Sequence, residues 1–328
     1  MYHKQLKNKQ KIFSVAPMMD WTDRHCRYLH RQLSGRSLLF TEMVTSAAII
    51  HGDPERLLGY DAIEHPVAVQ LGGSDPDELA RATKICQQFG YDEINLNVGC
   101  PSDRVQAGRF GACLMAEPDL VARCVEAIRN ETDRPVTVKC RIGIDQSDIE
   151  KDLDEFADKM LEAGVAALYV HARKAWLQGL SPKENRTIPP LNYERVYRLA
   201  KRLAPLPLII NGGIETLEAC QEHLGHVNGV MLGRAAYQNP FMLSRVDSEI
   251  FGESGSAPTL AQIAQIMIEY TERELARGAR LNHITRHMIG LAYAMPGARR
   301  FRQIMTMDVL EEGAGSHTIA RAFEVLKL

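Results

Sequence analysis

A repeated local pattern constrains the fold of this chain more than any other feature of its sequence. Over the first 240 residues, short β-branched runs alternate with amphipathic helical segments, and a glycine-rich or polar tip follows each run. The predicted strands cover residues 12–16, 38–41, 67–70, 93–97, 136–140, 167–170, 207–211 and 229–232. Eight parallel strands are the number that closes a (β/α)8 barrel. We therefore predict an α/β fold of the TIM-barrel type.

The segments between the predicted strands carry signals for helix starts and ends. Asp75 is a candidate N-cap, Pro76 suits the first helical position, and Glu78 completes a capping box. Gly90 favours an end to the same helix. Between residues 147 and 164, apolar side chains recur at helical spacing among acidic ones, which predicts an outer helix of the barrel.

The pattern changes near residue 245. The run of glycine and serine in residues 252–258 is typical of a linker, and the sequence after it shows helical periodicity without further strands. The predicted helices there cover about residues 259–277, 282–293, 297–306 and 316–327. We therefore predict a catalytic barrel domain of residues 1–245 and a small helical domain of residues 246–328.

Composition limits the classes of protein to which the chain can belong. No uninterrupted apolar stretch approaches the roughly 20 residues of a membrane-spanning helix. The N-terminus lacks the apolar stretch of a secretory signal, so we expect a cytoplasmic protein. The cysteines are odd in number, seven, and include no Cys-x-x-Cys pair, which argues against a disulfide framework and a zinc site. The net charge of −2 leaves nucleic acid open as a partner, because binding depends on where positive charges lie.

The tips after the strands are the places where a barrel of this kind carries its catalytic groups. The side chains found there are Met18, Met19, Gln70, Asn95, Asn97, Cys100, Lys139, His171, Arg173, Asn211, Gly212, Gly213, Gly233 and Arg234. The last two tips, Asn-Gly-Gly and Gly-Arg, predict a phosphate-binding site, because glycine lets backbone N–H groups approach an anion. Either glycine pair taken singly would be explained by a tight turn.

Cys100 lies between Gly99 and Pro101, on a stiff turn just after a predicted strand. A thiol at this place can face the barrel mouth, although packing is the commoner role of a cysteine. Thiols are largely protonated at neutral pH, so Cys100 could donate a proton. With His171 as a general base, it could instead be a nucleophile. The residues alone leave both roles open.

Two further features belong to the same rim. Lys139 ends a strand, where a buried ammonium group requires an anionic or carbonyl partner, and an internal salt bridge is the alternative to a functional role. The loop of residues 100–118 contains Arg104 and Arg109 and is long for a strand-to-helix connection. Its length predicts a flap over the mouth.

Several of these motifs, taken in register, resemble those of the tRNA-dihydrouridine synthases. They are Asn95-Leu-Asn-Val-Gly-Cys-Pro101, Lys139, His171-Ala-Arg173, Asn211-Gly-Gly213 and Gly233-Arg234. The resemblance extends along nearly the whole chain. The run from His171 to Gly179, with Ser181 to Arg186 after it, looks most like the bacterial DusA subgroup, which modifies uridines 20 and 20a of the tRNA D-loop.

The resemblance implies a cofactor and a reaction. The cofactor is FMN, held by Pro17, Met18, Met19, Gln70, Lys139, His171, Asn211, Gly212, Gly213, Gly233 and Arg234. NADPH would reduce the flavin, hydride would pass from flavin N5 to C6 of a uracil, and Cys100 would protonate C5. Asn97 would hold the uracil with help from Lys139 and His171. The target base must leave its own stack to reach the flavin.

The resemblance also implies contacts with tRNA, at Lys183, Arg186, Arg299 and Arg302. The sequence agrees with this implication, because the segment from Arg273 to Arg302 contains seven arginines and one acid, Glu274. A solvated face is the alternative explanation for such a run of charges. No obligate protein partner is evident from the sequence.

Two other functions compete with this interpretation. A flavin barrel that reduces a free small molecule, such as a dihydropyrimidine, is disfavoured by the arginine-rich helical segment. An RNA-binding module without turnover is disfavoured by the complete set of Cys100, Lys139 and His171.

Overall fold

The structure, a computed structural model, describes residues 6, 8, 10–103, 105 and 108–326. Its centre is a closed barrel of eight parallel strands in sequential order, with β8 paired to β1. The strands are β1 (Ile12–Val15), β2 (Leu38–Thr45), β3 (Val67–Gly72), β4 (Glu93–Val98), β5 (Val136–Arg141), β6 (Ala167–His171), β7 (Leu208–Asn211) and β8 (Gly229–Leu232). All eight predicted strands are confirmed, and so is the (β/α)8 barrel. Arg104 of the predicted flap and the N-terminal Lys4, Lys7 and Lys9 lie outside the described residues.

The alternation of side chains along the strands separates two cores. Inside the barrel, apolar side chains such as Phe40, Tyr169 and Met231 form one buried cluster. Outside it, the opposite strand faces pack against the helices in a larger cluster. Parallel strands covered on both faces are normally apolar throughout. The inward polar residues of β4 and β5 therefore depart from that rule and call for a separate explanation.

Helices cover the outer face of the barrel. They are α1 (Arg24–Leu33), α2 (Ser46–His51), α3 (Pro54–Leu58), α4 (Pro76–Gln87), α5 (Pro118–Arg129), α6 (Lys151–Glu162), α7 (Tyr193–Leu203), α8 (Leu217–Leu224), α9 (Arg234–Gln238) and α10 (Val246–Glu249). Asp75 caps α4 as predicted, by accepting a hydrogen bond from the backbone N–H of Glu78. The predicted capping box is only half formed, because the Glu78 carboxylate accepts a hydrogen bond from Ser46 instead.

The outer helix predicted between residues 147 and 164 begins later than the apolar pattern suggested. The Asp148 carboxylate accepts hydrogen bonds from the backbone N–H groups of Glu150 and Lys151, and these bonds close a turn before α6. Its apolar face is buried at Leu153, Phe156 and Met160.

The C-terminal segment is helical, as predicted. Its α-helices are α11 (Leu260–Ala276), α12 (Leu281–Thr285), α13 (Ala298–Thr306) and α14 (Ser316–Glu324). The single helix predicted over residues 282–293 is wrong, because α12 ends at Thr285 and a separate 3-10 turn covers Ile289–Ala292. Gly290 packs so closely on the barrel that a Cβ atom there would lie 2.6 Å from the carbonyl oxygen of Gln238. This close approach favours a break in the helix.

The helical segment and the barrel meet through charge as well as through packing. Asp23, at the N-terminus of α1, accepts hydrogen bonds from Arg286 at 2.5 Å and from His287. The buried carboxylate of Glu274 pairs with Arg24 and lies 3.0 Å from Arg277. Both regions also share one continuous apolar cluster. The division at residue 245 stays a prediction. Among the described residues, no helix is long and apolar enough to cross a membrane.

Candidate active site

Cys100 lies on a turn that β4 positions at the barrel mouth. The side-chain oxygen of Asn97 accepts hydrogen bonds from the backbone N–H groups of Gly99, at 3.1 Å, and Cys100, at 3.0 Å. The Cys100 carbonyl oxygen accepts a further bond from the N–H of Ala112. The thiol is partly exposed and lies 3.5 Å from the hydroxyl oxygen of Ser102. The backbone of the turn is therefore fixed while the thiol stays accessible.

Lys139 projects into the mouth from the next strand. Its ammonium group donates a hydrogen bond of 3.2 Å to the side-chain oxygen of Asn211. The side-chain nitrogen of Asn211 donates in turn to the carbonyl oxygen of Met231. Burial, followed by the positive charge of Arg141, lowers the pKa of Lys139 to about 8. The alternative of an internal salt bridge is wrong, since the partner of Lys139 among the described residues is an amide.

Arg141 is a site residue that the sequence reasoning missed. It lies two residues beyond Lys139 on the same face of β5 and is 3% exposed. Its guanidinium group donates to the carbonyl oxygens of Gly99 at 3.0 Å, Asn185 at 2.9 Å and Lys174 at 3.1 Å. Burial lowers its pKa to about 10. The available signal was the two-residue spacing from Lys139, which places both side chains inside the barrel.

His171 ends β6 and is buried among these cations. Burial is the main reason that its pKa lies well below the ordinary value, and the charges of Arg141 and Lys139 add to the effect. Burial and these positive charges all disfavour the charged form of the imidazole. The hydrogen bonds of the described residues join the Cys100 thiol to Ser102 and not to His171. This geometry favours the proton-donor role of Cys100 over the nucleophile with a histidine base.

Two buried nitrogen atoms at the mouth lack a hydrogen-bond partner within the described part of the chain. They are Nε2 of His171 and Nε of Arg173. Arg173 does donate through its terminal nitrogen to the carbonyl oxygen of Pro189. A buried polar atom without a partner is destabilising, so such atoms mark a place where a ligand completes the structure.

The glycines after β7 and β8 lie beside this cluster. Gly212 and Gly213 adopt positive φ angles of 115° and 69°. A Cβ atom on Gly212 would lie 2.5 Å from the His171 ring, so the position requires glycine. Around Gly233, by contrast, the nearest atom to an added Cβ is the Met18 sulfur at 3.8 Å. The Asn-Gly-Gly tip is therefore tightly packed, whereas the tip at Gly233 leaves room for a ligand.

The mouth as a whole is strongly positive. Its cations are Lys139, Arg141, Arg173, Arg186 and Arg234. Burial lowers the pKa values of Lys139, Arg141, Arg173 and Arg186, and neighbouring positive charges lower them further. No salt bridge links any of the five cations to a carboxylate among the described residues. Arg234 donates to the carbonyl oxygen of Arg186 at 3.3 Å, which joins the loop after β6 to the tip of β8. An anionic ligand would balance this charge.

The structure also brings most of the other predicted residues to this mouth. Gln70 is buried, and its amide contacts both Asn95 and Asn97. Pro17 and Met18 are partly buried at the end of β1, where the backbone N–H of Met18 bonds to the Thr22 hydroxyl. Met19 is 54% exposed, so it contributes little to this packing.

The predicted tRNA-binding residues fall into two groups. Lys183 and Arg186 belong to the loop between β6 and α7, at the mouth. Arg299 and Arg302 are exposed on α13 and form no ion pair with a described residue. Most of the other arginines of the segment form salt bridges. The pairs are Arg273–Asp61, Arg277–Glu274, Arg286–Asp23 and Arg300–Asp308. Counting one acid within the segment thus missed the carboxylates elsewhere in the sequence that pair with its arginines.

Comparison with known proteins shows the family of this chain. A family model described as Dihydrouridine synthase (Dus) matches residues 14–324. The chain belongs to the dihydrouridine synthase family. This membership confirms the predicted class of enzyme, a flavin-dependent oxidoreductase. A tRNA-dihydrouridine(20/20a) synthase of Shewanella oneidensis is 54% identical over 97% of this chain and 95% of its own length. One of Synechocystis sp. is 54% identical over 96% and 94%.

Solved structures support the barrel fold of this family member. An old yellow enzyme homologue from Zymomonas mobilis superposes with a TM-score of 0.52 at 14% identity, covering 79% of this chain and 92% of the other. A 2-naphthoyl-CoA reductase complex gives a TM-score of 0.55 at 11% identity, covering 71% and 49%.

Proposed function

We propose that this enzyme reduces the C5=C6 bond of uridines in the tRNA D-loop to dihydrouridine, at positions 20 and 20a. We further propose FMN as its cofactor, NADPH as its reductant and the cytoplasm as its location. The observation that carries the proposal is the cluster of mouth cations, without acid partners among the described residues, next to the Cys100 turn. The relatives at 54% identity, which are tRNA-dihydrouridine(20/20a) synthases, support the tRNA substrate and the modified positions.

The residues at the mouth fit a flavin that carries a phosphate. The unpartnered nitrogens of His171 and Arg173 offer hydrogen-bonding capacity for an anionic ligand, and the tip at Gly233 leaves space for one. In the proposal the groups that hold FMN are Pro17, Met18, Met19, Gln70, Lys139, His171, Asn211, Gly212, Gly213, Gly233 and Arg234. Lys139 stabilises negative charge near it, because a cation in a partly buried site interacts strongly with an anion.

The reaction adds one hydride and one proton across the uracil double bond. When bound and reduced, FMN supplies the hydride that goes to C6. The Cys100 thiol then gives its proton to C5, and the resulting thiolate takes up a proton from solvent. The fixed turn supports this role, since a general acid must stay within hydrogen-bonding reach of the carbon it protonates.

The substrate is recognised by side chains at the mouth and by the helical segment. We propose that Asn97 binds the uracil, that Lys183 and Arg186 bind tRNA at the mouth, and that Arg299 and Arg302 bind its backbone. The exposed, unpaired arginines of α13 support the last part, because phosphates pair with such groups. The base must unstack to enter the mouth, which costs a few kcal/mol.

A cysteine substitution tests the proposed chemistry. We expect Cys100→Ala to keep the flavin absorbance of the purified protein and its tRNA affinity, yet to slow single-turnover reduction of tRNA by about 10²- to 10⁴-fold. The measurement is dihydrouridine formed by enzyme that has been reduced in advance. Cys113→Ala is the matched control, since Cys113 is also partly exposed. An undiminished rate in Cys100→Ala would remove the proton-donor role. Mapping dihydrouridine in tRNA from a deletion strain tests positions 20 and 20a.

A further inference from the structure

A chain of side-chain hydrogen bonds runs through the barrel interior to the active site. The Thr137 hydroxyl donates to Glu93 at 2.5 Å, and the Asn95 amide donates to the Thr137 oxygen at 2.8 Å. The Gln70 amide donates to the Asn95 oxygen at 2.8 Å, and the Asn97 amide donates to the Gln70 oxygen at 2.8 Å. These five residues are 0% to 8% exposed. We call them the interior hydrogen-bond chain.

The direction of this chain follows from the chemistry of its two ends. Glu93 accepts the hydrogen bond of the Thr137 hydroxyl, which uses its one hydrogen there. The Thr137 oxygen must then accept from a nitrogen of Asn95, which turns the Asn95 oxygen towards Gln70. The same constraint passes along the chain until the Asn97 nitrogen faces Gln70.

The other end of the chain agrees with this direction. With its nitrogen engaged by Gln70, Asn97 turns its oxygen towards the backbone N–H groups of Gly99 and Cys100. If the Asn97 amide were flipped, its nitrogen would face the backbone N–H groups of Gly99 and Cys100, and all of these groups are donors. The two lone pairs of the Asn97 oxygen are therefore used, and one N–H hydrogen of its amide is left for a ligand. Asn97 can bind a carbonyl oxygen of a substrate but not an N–H group.

We propose that Glu93 and Thr137 are positioning residues, which fix the direction of the interior hydrogen-bond chain so that Asn97 holds the Cys100 turn and offers a donor to a substrate carbonyl. This inference rests on the proposed function for the identity of that carbonyl, a uracil oxygen. It also explains why polar residues occupy the interior of β4 and β5, where apolar side chains would pack more simply.

A pair of substitutions at one position tests the inference. Thr137→Val keeps the shape of the side chain but removes the hydroxyl, whereas Thr137→Ser keeps the hydroxyl. We expect Thr137→Val to slow single-turnover reduction at saturating tRNA by about 10-fold or more, because it leaves buried amide groups without partners. Thr137→Ser should stay within about twofold of the unmodified enzyme, because the bond is retained.

The matched control is Thr83→Val on α4. Thr83 is also fully buried, and its hydroxyl donates to the backbone carbonyl of Leu79, far from the mouth. An unchanged rate in folded Thr137→Val would overturn the inference. An equal loss of rate in Thr83→Val or in Thr137→Ser would also overturn it, since the loss would then not depend on the interior hydrogen-bond chain.

A second measurement does not depend on the reaction. Alkylation of Cys100 by iodoacetamide, followed by peptide mass spectrometry with Cys113 as internal reference, reports on the turn itself. We expect Thr137→Val and Glu93→Met, which removes the acceptor for Thr137, to raise the ratio of Cys100 to Cys113 labelling, because the Asn97 oxygen is no longer held against the turn. An unchanged ratio in both variants would overturn the inference. Absence of dihydrouridine formation by the unmodified enzyme would instead contradict the proposed function and leave the labelling result standing.

Discussion

The cations of the barrel mouth and those of the C-terminal helices differ in what faces them. At the mouth, Lys139 and Arg141 are held by amide and carbonyl oxygens. In the helical segment, Arg273, Arg277 and Arg286 face carboxylates, one of them on the same helix and the other two on the barrel. Similar side chains therefore serve two purposes, ligand binding in one region and attachment of helices to the barrel in the other.

The physical reason lies in how positive charge is compensated. A buried cation without an anionic partner is destabilising, and its pKa falls, as it does for Lys139 and Arg141. Such an arrangement is retained where an external anion supplies the missing charge. A paired arginine has its compensation inside the protein and has little left for a ligand.

The largest expected effect comes from replacing a buried arginine of the barrel mouth. We expect Arg141→Met to lower single-turnover reduction by about 100-fold and to destabilise the fold by about 3 kcal/mol, because three carbonyl oxygens lose their donor. The measurements are dihydrouridine formation and urea denaturation. Arg277→Met is the control, since Glu274 keeps Arg24 and Arg273 as partners. Equal losses of rate and stability in Arg141→Met and Arg277→Met would contradict the proposed difference between the mouth cations and the paired arginines.

The next effect concerns the attachment of the helical segment. Asp23→Asn keeps an N-cap but removes a charge, so we expect a loss of about 2 kcal/mol at pH 7. Burial raises the pKa of Asp23, but hydrogen bonds and charge from His287, with Cys26 and Arg286, outweigh it and hold the pKa below its usual value.

A carboxyl group with a lowered pKa stabilises the fold above its unfolded pKa of 3.8. The difference between the unmodified protein and Asp23→Asn should therefore be complete at neutral pH and shrink as the pH falls below about 4. Urea denaturation at pH 7 and pH 3.5 checks both statements. A difference that does not change with pH would show that the charge of Asp23 is not responsible.

The third prediction concerns the pH dependence of FMN binding at the barrel mouth. Because the pKa of Lys139 is about 8, its positive charge is complete below that pH and is lost above it. We expect the affinity for FMN to fall by up to about tenfold per pH unit above 8, as binding then requires uptake of a proton. Fluorescence titration of the apoprotein with FMN between pH 7 and 10 measures this slope. Lys139→Met should flatten it, and a slope that survives in Lys139→Met would assign it to another group.

The smallest effect concerns tRNA. We expect Arg299→Ala with Arg302→Ala to reduce the slope of log affinity against log salt by about 1.5, as about two phosphate contacts are lost. Arg273→Ala with Arg277→Ala should change the slope less, because both arginines are paired inside the protein. Filter binding of tRNA at several salt concentrations measures the slopes. Equal changes in the two double variants would mean that internal pairing does not decide which arginines bind RNA.

Sequence patterns predicted the strands better than they predicted the charges. β-branched runs with polar tips identified all eight strands, and parallel strands with connecting helices bring their C-terminal ends to one mouth. The positions of Cys100, Lys139 and His171 followed from that rule. Arg141 was missed because the predicted strand ended at residue 140, one residue short of it, and only Lys139 was considered at that end. The break at Gly290 was missed because it depends on contact with Gln238.

The sequence by itself determined the eight strands, the helical C-terminal segment and the polar groups that end each strand, because these depend on residue type and local spacing. The tertiary structure decided which arginines are paired, which nitrogen atoms are left without partners, and which way each interior amide points. Those outcomes depend on partners that lie far apart in the chain, 44 residues for Thr137 and Glu93 and 263 for Arg286 and Asp23. Hydrogen bonds and ion pairs act only at short range, so they are settled once the barrel has brought such residues together.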